Sequence, residues 1–204
     1  MPDGLFISFE GLDGAGKSTQ IRLLASRLRA LGREVVESVE PGGAAVAAEI
    51  RRILLDPAYH GQISPTTELL LYFAARAQNV DACLRPALER GAVVLSDRFT
   101  DSTLAYQGAG RGLGESVIRD LHRIACRGIE PQLTLYLDID VATSAIRRGM
   151  PDRLEMEPDT FRDAVRQAYL RLGAAEPHRF RILDGRLSPA QVAAAVWREV
   201  KPLV

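Results

Sequence analysis

The octapeptide Gly11-Leu12-Asp13-Gly14-Ala15-Gly16-Lys17-Ser18 constrains this chain more than any other stretch. It matches the pattern G-x-x-x-x-G-K-[ST] in full, and Thr19 follows it. Before it lies the apolar run Leu5–Phe9, of buried-strand length. After it, Ile21, Leu23, Leu24 and Leu28 recur at helical spacing across Ser18–Ala30 until Gly32 stops them. A strand, a glycine loop and a helix in that order form a phosphate cradle. Glycines let backbone N–H groups turn inward around phosphate oxygens, and the helix N-terminus adds partial positive charge. Lys17 is expected to reach the β- and γ-phosphates and the Ser18 hydroxyl to ligate Mg²⁺. A chance glycine-rich turn is the rival reading, and the flanking strand and helix argue against it. The motif predicts a bound nucleoside triphosphate without saying where its phosphate goes.

The remaining chain alternates strand-length apolar runs with helical patterns. Val35–Val39, Ala92–Ser96, Leu133–Asp138 and Phe180–Leu183 read as four further strands. Helices are expected over Ala44–Leu55, Thr66–Arg90 with a bend at Pro86, Glu115–Cys126, Ala142–Arg148, Thr160–Leu172 and Pro189–Val200, the last capped by Ser188. Gly108–Gly114 reads as a loop, and Gly149–Pro158 as a polar, flexible stretch. The fold class is therefore α/β, with a five-stranded parallel sheet covered by helices on both faces. With no repeat and no dividing linker, one domain over residues 1–204 is expected. Such sheets bind ligands at the carboxyl ends of their strands.

Composition narrows the partners. Twenty-six basic and 26 acidic residues cancel, so no global field draws the chain to nucleic acid or an anionic membrane. Cys83 and Cys126 form neither a metal pattern nor a disulfide framework. The N-terminal Met1-Pro2-Asp3-Gly4 has no signal-peptide character, and no apolar run approaches bilayer length. A cytoplasmic protein is expected.

The guanine-reading Asn-Lys-x-Asp element of switch GTPases is absent, because Asn79, the sole asparagine, precedes Val80-Asp81. Large motor and transporter ATPases need a longer chain. A small phosphotransferase remains. The strand Ala92–Ser96 runs into Asp97-Arg98, which places a carboxylate suited to Mg²⁺ and a guanidinium suited to a transferring phosphate beside the cradle. A local Asp–Arg pair of purely structural value is the alternative there.

The run from Asp97 through Thr100, Ser102, Thr103, Tyr106 and Gln107 to Gly108 resembles the signature of bacterial thymidylate kinases, members of the nucleoside-monophosphate-kinase group of P-loop folds. It is joined in order by Phe9-Glu10-Gly11 through Thr19, by Glu40-Pro41-Gly42-Gly43, by Glu68 through Tyr72 to Arg76-Ala77-Gln78, and by the lid-like Asp152-Arg153-Leu154-Glu155. The resemblance implies transfer of the γ-phosphoryl group of ATP to dTMP, giving dTDP and ADP on the way to dTTP, with Mg²⁺ as cofactor and a homodimeric assembly. It also implies roles. ATP would be held by Gly11, Leu12, Asp13, Gly14, Ala15, Gly16, Lys17, Ser18 and Thr19, with Arg147, Arg148 and above all Arg153 closing from a lid at about residues 147–158. Ser18 and Asp97 would hold the metal. The dTMP would meet Tyr72 stacked on thymine, Arg76 donating to its O4, Thr103 and Gln107 at the base edge, and Tyr106 against the sugar, with Ser102 also in the dTMP-binding set. Asp13 would hold the sugar 3′-hydroxyl or a Mg²⁺-bound water, Arg51 and Arg98 would hold the acceptor phosphate, and Glu40 completes the dTMP-binding set. Lys17, Arg98, Arg153, Asp97 and Asp13 make up the expected catalytic set.

Both helical pairs, Tyr72 with Arg76 and Thr103 with Gln107, are spaced i, i+4 and so share a helix face. An arginine only donates, so a cytosine amino group at the O4 position would leave two donors facing each other. The chain also departs from the family pattern. Tyr72 stands where phenylalanine is usual, Val39 where an arginine precedes Glu40, and Ala44 where threonine follows Gly43. Gly14 and Ala15 leave Lys17 as the cradle's single side-chain cation. Two rival readings stay open: a kinase for another nucleoside monophosphate, and a nucleotide-binding module without transferase activity.

Overall fold

The protein is described here by a computed structural model covering residues 4–204; residues 1–3, on which the signal-peptide expectation partly rests, lie outside the described residues. Five strands, β1 (Leu5–Glu10), β2 (Val35–Val39), β3 (Val93–Asp97), β4 (Leu133–Asp138) and β5 (Phe180–Asp184), form one parallel sheet in the order β2-β3-β1-β4-β5. Every residue of β1 is buried, as expected of a central strand covered on both faces. Its side chains alternate between two cores. Leu5, Ile7 and Phe9 join Leu24 and Leu28 of α1 (Lys17–Ala30) and Val192 and Val196 of α9 (Pro189–Val200). Phe6 joins Val94 of β3, Leu69 and Phe73 of α3 (Pro65–Asn79) and Ile118 of α6 (Glu115–Cys126).

The chain leaves β1 toward β2 on one side and leaves its neighbour β4 toward β5 on the other, so the connections diverge at the carboxyl ends of two adjacent strands. That divergence opens a crevice. The register sets Phe9 beside Asp97, which brings the glycine loop after β1 against the Asp97-Arg98 corner after β3.

Three helical expectations need correction. The stretch read as Thr66–Arg90 changes helix type before Pro86: α3 ends at Asn79, a π-helical turn spans Val80–Leu84, and α4 covers Arg85–Glu89. The helical backbone continues through Leu84 into α4, and the π-helical turn surrounds Ala82, the residue four before Pro86, whose carbonyl the proline cannot pair. Gly108–Gly114 is not all loop, because α5 (Thr100–Thr103) runs into a second π-helical turn over Leu104–Gly110. Residues 149–158 were expected to be polar and flexible, yet Arg153 and Leu154 are buried there. The outer helices α2 (Ala45–Leu55), α7 (Val141–Arg147) and α8 (Asp159–Ala175) complete the layers. Ser188 caps α9 through a reciprocal pair with Gln191. No helix among the described residues is long and apolar enough to cross a membrane.

Candidate active site

Gly11, Gly14 and Gly16 adopt φ of 144°, 80° and 98°, conformations that L side chains rarely enter. A Cβ on Gly14 would also lie 2.8 Å from the Arg147 Cβ, so the loop and the end of α7 are in close contact. Ser144 Oγ donates to the Asp13 carbonyl at 2.7 Å and ties α7 to the same loop. The N-terminus of α1 has no side-chain cap and no acidic residue in its first turn, leaving its N–H groups for an anion. Lys17 Nζ arches over the loop to the carbonyls of Gly11 and Leu12, at 3.1 and 3.2 Å. Burial and the charge of Arg98 pull its pKa below the usual lysine value, against the pull of Asp97 and Asp13. Ala15 is buried beneath the loop.

A cavity of about 410 Å³ lies over this loop, lined by Asp13, Gly14, Gly16, Lys17, Ser18 and Thr19 together with Asp97, Arg98, Arg147, Arg148 and Glu155. Ser18 Oγ donates to Asp97 Oδ2 at 3.0 Å, a hydroxyl and a carboxylate side by side at the cavity wall. Among the described residues no cluster of three or more His, Cys, Asp or Glu could cage a metal. The hydroxyl and carboxylate of Ser18 and Asp97 are oxygen donors of the kind that would hold an ion such as Mg²⁺, which keeps waters and takes phosphate oxygens as its remaining ligands.

A second, narrower cavity, of about 80 Å³, opens from the first. Its walls carry Asp13, Glu40, Arg51, Tyr72, Arg76, Arg98, Ser102, Thr103, Tyr106 and Gln107, and also Pro41, Leu55, Asp152 and Leu154. Asp13, Glu40, Arg51 and Arg98 belong to both cavities. Arg98 stands at the junction. Its φ of 74° is unusual for a non-glycine residue, and a backbone of that kind stores about 1–3 kcal/mol. The strain is held by its N–H donating to the Phe9 carbonyl and its own carbonyl accepting from Ser96 Oγ. The guanidinium donates to Asp13 Oδ1 at 2.6 Å and to Ser102 Oγ at 3.2 Å, and lies over the Tyr106 ring. Burial alone would raise the Asp13 pKa, but Arg98 and Lys17 outweigh it and hold the carboxylate below its ordinary value.

Deeper in the second cavity Arg76 and Glu40 form an ion pair in which both side chains are 2 % exposed. Arg76 Nε donates to Glu40 Oε2 at 2.6 Å and Nη2 donates to the Phe99 carbonyl at 3.2 Å. Its Nη1 is buried with no partner, as is Thr103 Oγ1. Leaving such groups unpaired costs about 1–3 kcal/mol each. Two unpaired polar atoms on one cavity wall are the signature of a site built for a ligand's polar edge. Arg51 Nη1 donates to the Pro41 carbonyl at 2.7 Å and brings a cation to the loop where Val39 offers none.

The thymidylate kinase family model matches residues 9–196 of this sequence. Thymidylate kinases from Deinococcus radiodurans and Pseudomonas fluorescens are 49 % and 51 % identical to it, covering 98 % and 95 % of this chain and 98 % and 93 % of their own. The crystal structure of thymidylate kinase from Ehrlichia chaffeensis superposes with a TM-score of 0.80 at 29 % identity, over 98 % of this chain and 99 % of that one. This chain belongs to the thymidylate kinase family. Its sheet and phosphate loop are those of the P-loop nucleoside-monophosphate-kinase fold.

Four residues expected on ATP line neither cavity: Gly11, Leu12 and Ala15 are buried within the loop itself, and Arg153 is placed elsewhere. Arg153, expected on the ATP phosphates, lines neither cavity and is 2 % exposed. Asp152 Oδ1 accepts from the N–H groups of Leu154 and Glu155, both at 2.9 Å, and this turn directs Arg153 inward. There Nε donates to the Leu54 carbonyl and Nη2 pairs with Glu68 Oε2 at 2.7 Å, a close ion pair rather than an aligned hydrogen bond. Arg147 and Arg148 are the arginines of this segment that line the phosphate cavity. Arg147 also donates to the Gly185 carbonyl at 2.8 Å, linking the phosphate loop to the β5–α9 connection.

Sequence reasoning missed two buried carboxylates. Glu10 ends β1 and accepts from Ser8 Oγ, the Phe99 N–H, Ser102 Oγ and Tyr169 Oη. Burial, then the charge of Asp101, lifts its pKa to about 7. Glu68 accepts from Gln107 Nε2 at 2.8 Å and from Arg111. A glutamate closing an apolar strand, and one on the inner face of a helix opposite an arginine-rich lid, were the available signals.

Proposed function

We propose that this protein transfers the γ-phosphoryl group of ATP to dTMP, giving ADP and dTDP, the precursor of dTTP. The observation that carries this reading is the shared wall of the two cavities: Asp13, Glu40, Arg51 and Arg98 line both the phosphate cavity and the slot holding Tyr72, Arg76, Thr103 and Gln107. Donor and acceptor phosphates then meet at Arg98.

The polyphosphate of ATP occupies the loop from Gly11 to Thr19, with Lys17 and the N-terminus of α1 supplying positive charge. Arg147 and Arg148 cover it. Ser18 and Asp97 would hold a magnesium ion, which when bound neutralises β- and γ-phosphate oxygens. In the slot, Tyr72 stacks on thymine and the free Nη1 of Arg76 donates to O4. Thr103 and Gln107 meet the remaining base edge, Tyr106 packs on the sugar, and Asp13 holds its 3′-hydroxyl. Arg98 and Arg51 hold the acceptor phosphate in line. A bond forms from an acceptor phosphate oxygen to the γ-phosphorus as the bond to the bridging oxygen of ADP breaks. The acceptor is already an anion, so no general base is needed and the work is positioning and charge neutralisation. None of the three histidines lines either cavity, in keeping with that chemistry.

Family analogy adds a homodimer in the cytoplasm, and the exposed Val46, Ile53 and Leu70 of α2 and α3 offer apolar side chains for such an interface. Turnover measured as ADP release with dTMP, dUMP, UMP, CMP and AMP tests the assignment. Preference for dTMP is expected. Preference for another acceptor, or tight ATP binding without dTMP-dependent ADP release, overturns it.

A further inference from the structure

Glu68 of α3 has no exposed surface, yet its carboxylate joins three parts of the molecule. Oε1 accepts from Gln107 Nε2 at 2.8 Å, on the wall of the base slot. Arg111, just beyond the second π-helical turn, donates to both oxygens at 3.2 and 3.0 Å and also reaches Glu157 at 2.8 Å. Arg153 Nη2 lies 2.7 Å from Oε2. Two glutamates and two arginines balance in charge, as a buried cluster must.

The cluster seats residues 152–157 on both sides. The Arg153 N–H donates to the Leu55 carbonyl and its Nε to the Leu54 carbonyl, so the segment is pinned to the end of α2. The neighbours of Arg153 in the chain, Asp152 and Leu154, line the base slot. Seating Arg153 on Glu68 therefore closes the slot, and the same carboxylate fixes the amide of Gln107 inside it.

We infer that Glu68 and Arg153 form a latch that couples closure of the 152–155 segment over the acceptor base to the orientation of Gln107. Arg153 is thus a positioning residue for acceptor recognition and touches neither substrate's phosphates. The inference deepens the dTMP-kinase reading and rests on it. Arg153→Ala leaves Arg111 to serve both Glu68 and Glu157, so Arg153→Lys, which keeps the charge, separates loss of the latch from charge imbalance.

The test is a double-mutant cycle on dTMP binding, measured by titration calorimetry without ATP and paired with steady-state kinetics. The proteins are wild type, Arg153→Ala, Gln107→Ala and the double variant, with Arg153→Lys as the conservative rescue. Arg153→Ala is expected to weaken dTMP at least tenfold while changing the KM for ATP less than threefold. Arg153→Lys is expected to recover most of that loss. The double variant is expected to lose little more than the worse single variant. Additive losses, or a tenfold fall in kcat or rise in KM for ATP with dTMP binding intact, overturn the latch. If wild type rejects dTMP but accepts another monophosphate, the thymidylate reading fails alone. The same cycle on that acceptor then decides the latch by the same criterion.

Discussion

The free Nη1 of Arg76 makes a quantitative prediction. Of the three guanidinium nitrogens, Nε is committed to Glu40 and Nη2 to the Phe99 carbonyl, which leaves Nη1 alone for the base. Arg76→Ala is a poor probe, because it strands Glu40 as a buried unpaired charge at a cost of about 3–5 kcal/mol. For a chain of this size that lowers Tm by roughly 6–20 °C and confounds any kinetic reading. Arg76→Lys keeps a cation against Glu40 but has no fork to serve two partners at once. The lost contact is a hydrogen bond from a charged donor, worth about 1.5–3 kcal/mol. The kcat/KM for dTMP is therefore expected to fall roughly 10- to 150-fold, at about 1.4 kcal/mol per factor of ten. The KM for ATP should stay within about threefold, because Arg76 does not line the phosphate cavity. Coupled ADP-release kinetics, with circular dichroism to confirm the fold, measure both quantities. A loss under about threefold in kcat/KM for dTMP, with the fold intact, would refute the base-reading role.

The remaining predictions use the same geometry. Thr103→Val removes a buried hydroxyl that has no partner, so thermal melting without ligand is expected to hold or rise by a few degrees, roughly, while dTMP affinity falls about fivefold or more; a fall in Tm would mean Thr103 Oγ1 is already satisfied. Lys17→Ala is expected to lower kcat roughly 100- to 1000-fold and leave the dissociation constant of dTMP within about threefold, since Lys17 contacts the donor side only; equal losses in both would contradict the division of the cleft. Glu10 binds its proton up to about pH 7 in the fold and loses it near 4.5 when unfolded, so its stabilisation is complete below 4.5 and is lost as pH rises through 7. Glu10→Gln, neutral throughout, should therefore gain on wild type by roughly 2.5 kcal/mol, or about 5–10 °C in Tm, between pH 5 and pH 8; a difference that does not change with pH would show the carboxyl titrating normally.

The parts of the fold that could be read from residues alone were those set by local rules. Strand runs bounded by glycines and helices with a clear period place the sheet within a residue or so, as at β2 and β4, where expected and observed bounds coincide. The breaks were less legible. Pro86 marks the distortion of the long helix, but the distortion lies one turn upstream at Val80–Leu84, around the Ala82 carbonyl that the proline ring and missing N–H leave without its usual partner. The glycine count assigns Gly108 to a loop, and the second π-helical turn absorbs it.

Within the site, the side chains expected at the slot wall, from Tyr72 and Arg76 to Thr103 and Gln107, do lie together, because helical spacing and strand ends suffice to group them. What sequence could not supply is direction. An arginine's target is set by the nearest buried carboxylate, and carboxylates are mostly exposed, so pattern reasoning reads a glutamate as surface. Glu68 turns Arg153 away from the phosphates, and Glu40 aims Arg76 so that one nitrogen is left over. Arg98 is held at its φ of 74° by Ser96 and Phe9, and Glu10 fixes the neighbouring Phe99 N–H. These anions are deep in the protein, where a misplaced charge is expensive and a paired one is rigid. A kinase that works by positioning needs its arginines rigid before substrate arrives, since side-chain reorganisation during transfer would raise the barrier. The buried glutamates are thus as necessary to the proposed chemistry as the arginines they hold. Substituting Glu10 or Glu68, which line neither cavity, should disturb substrate binding from sites that touch no substrate.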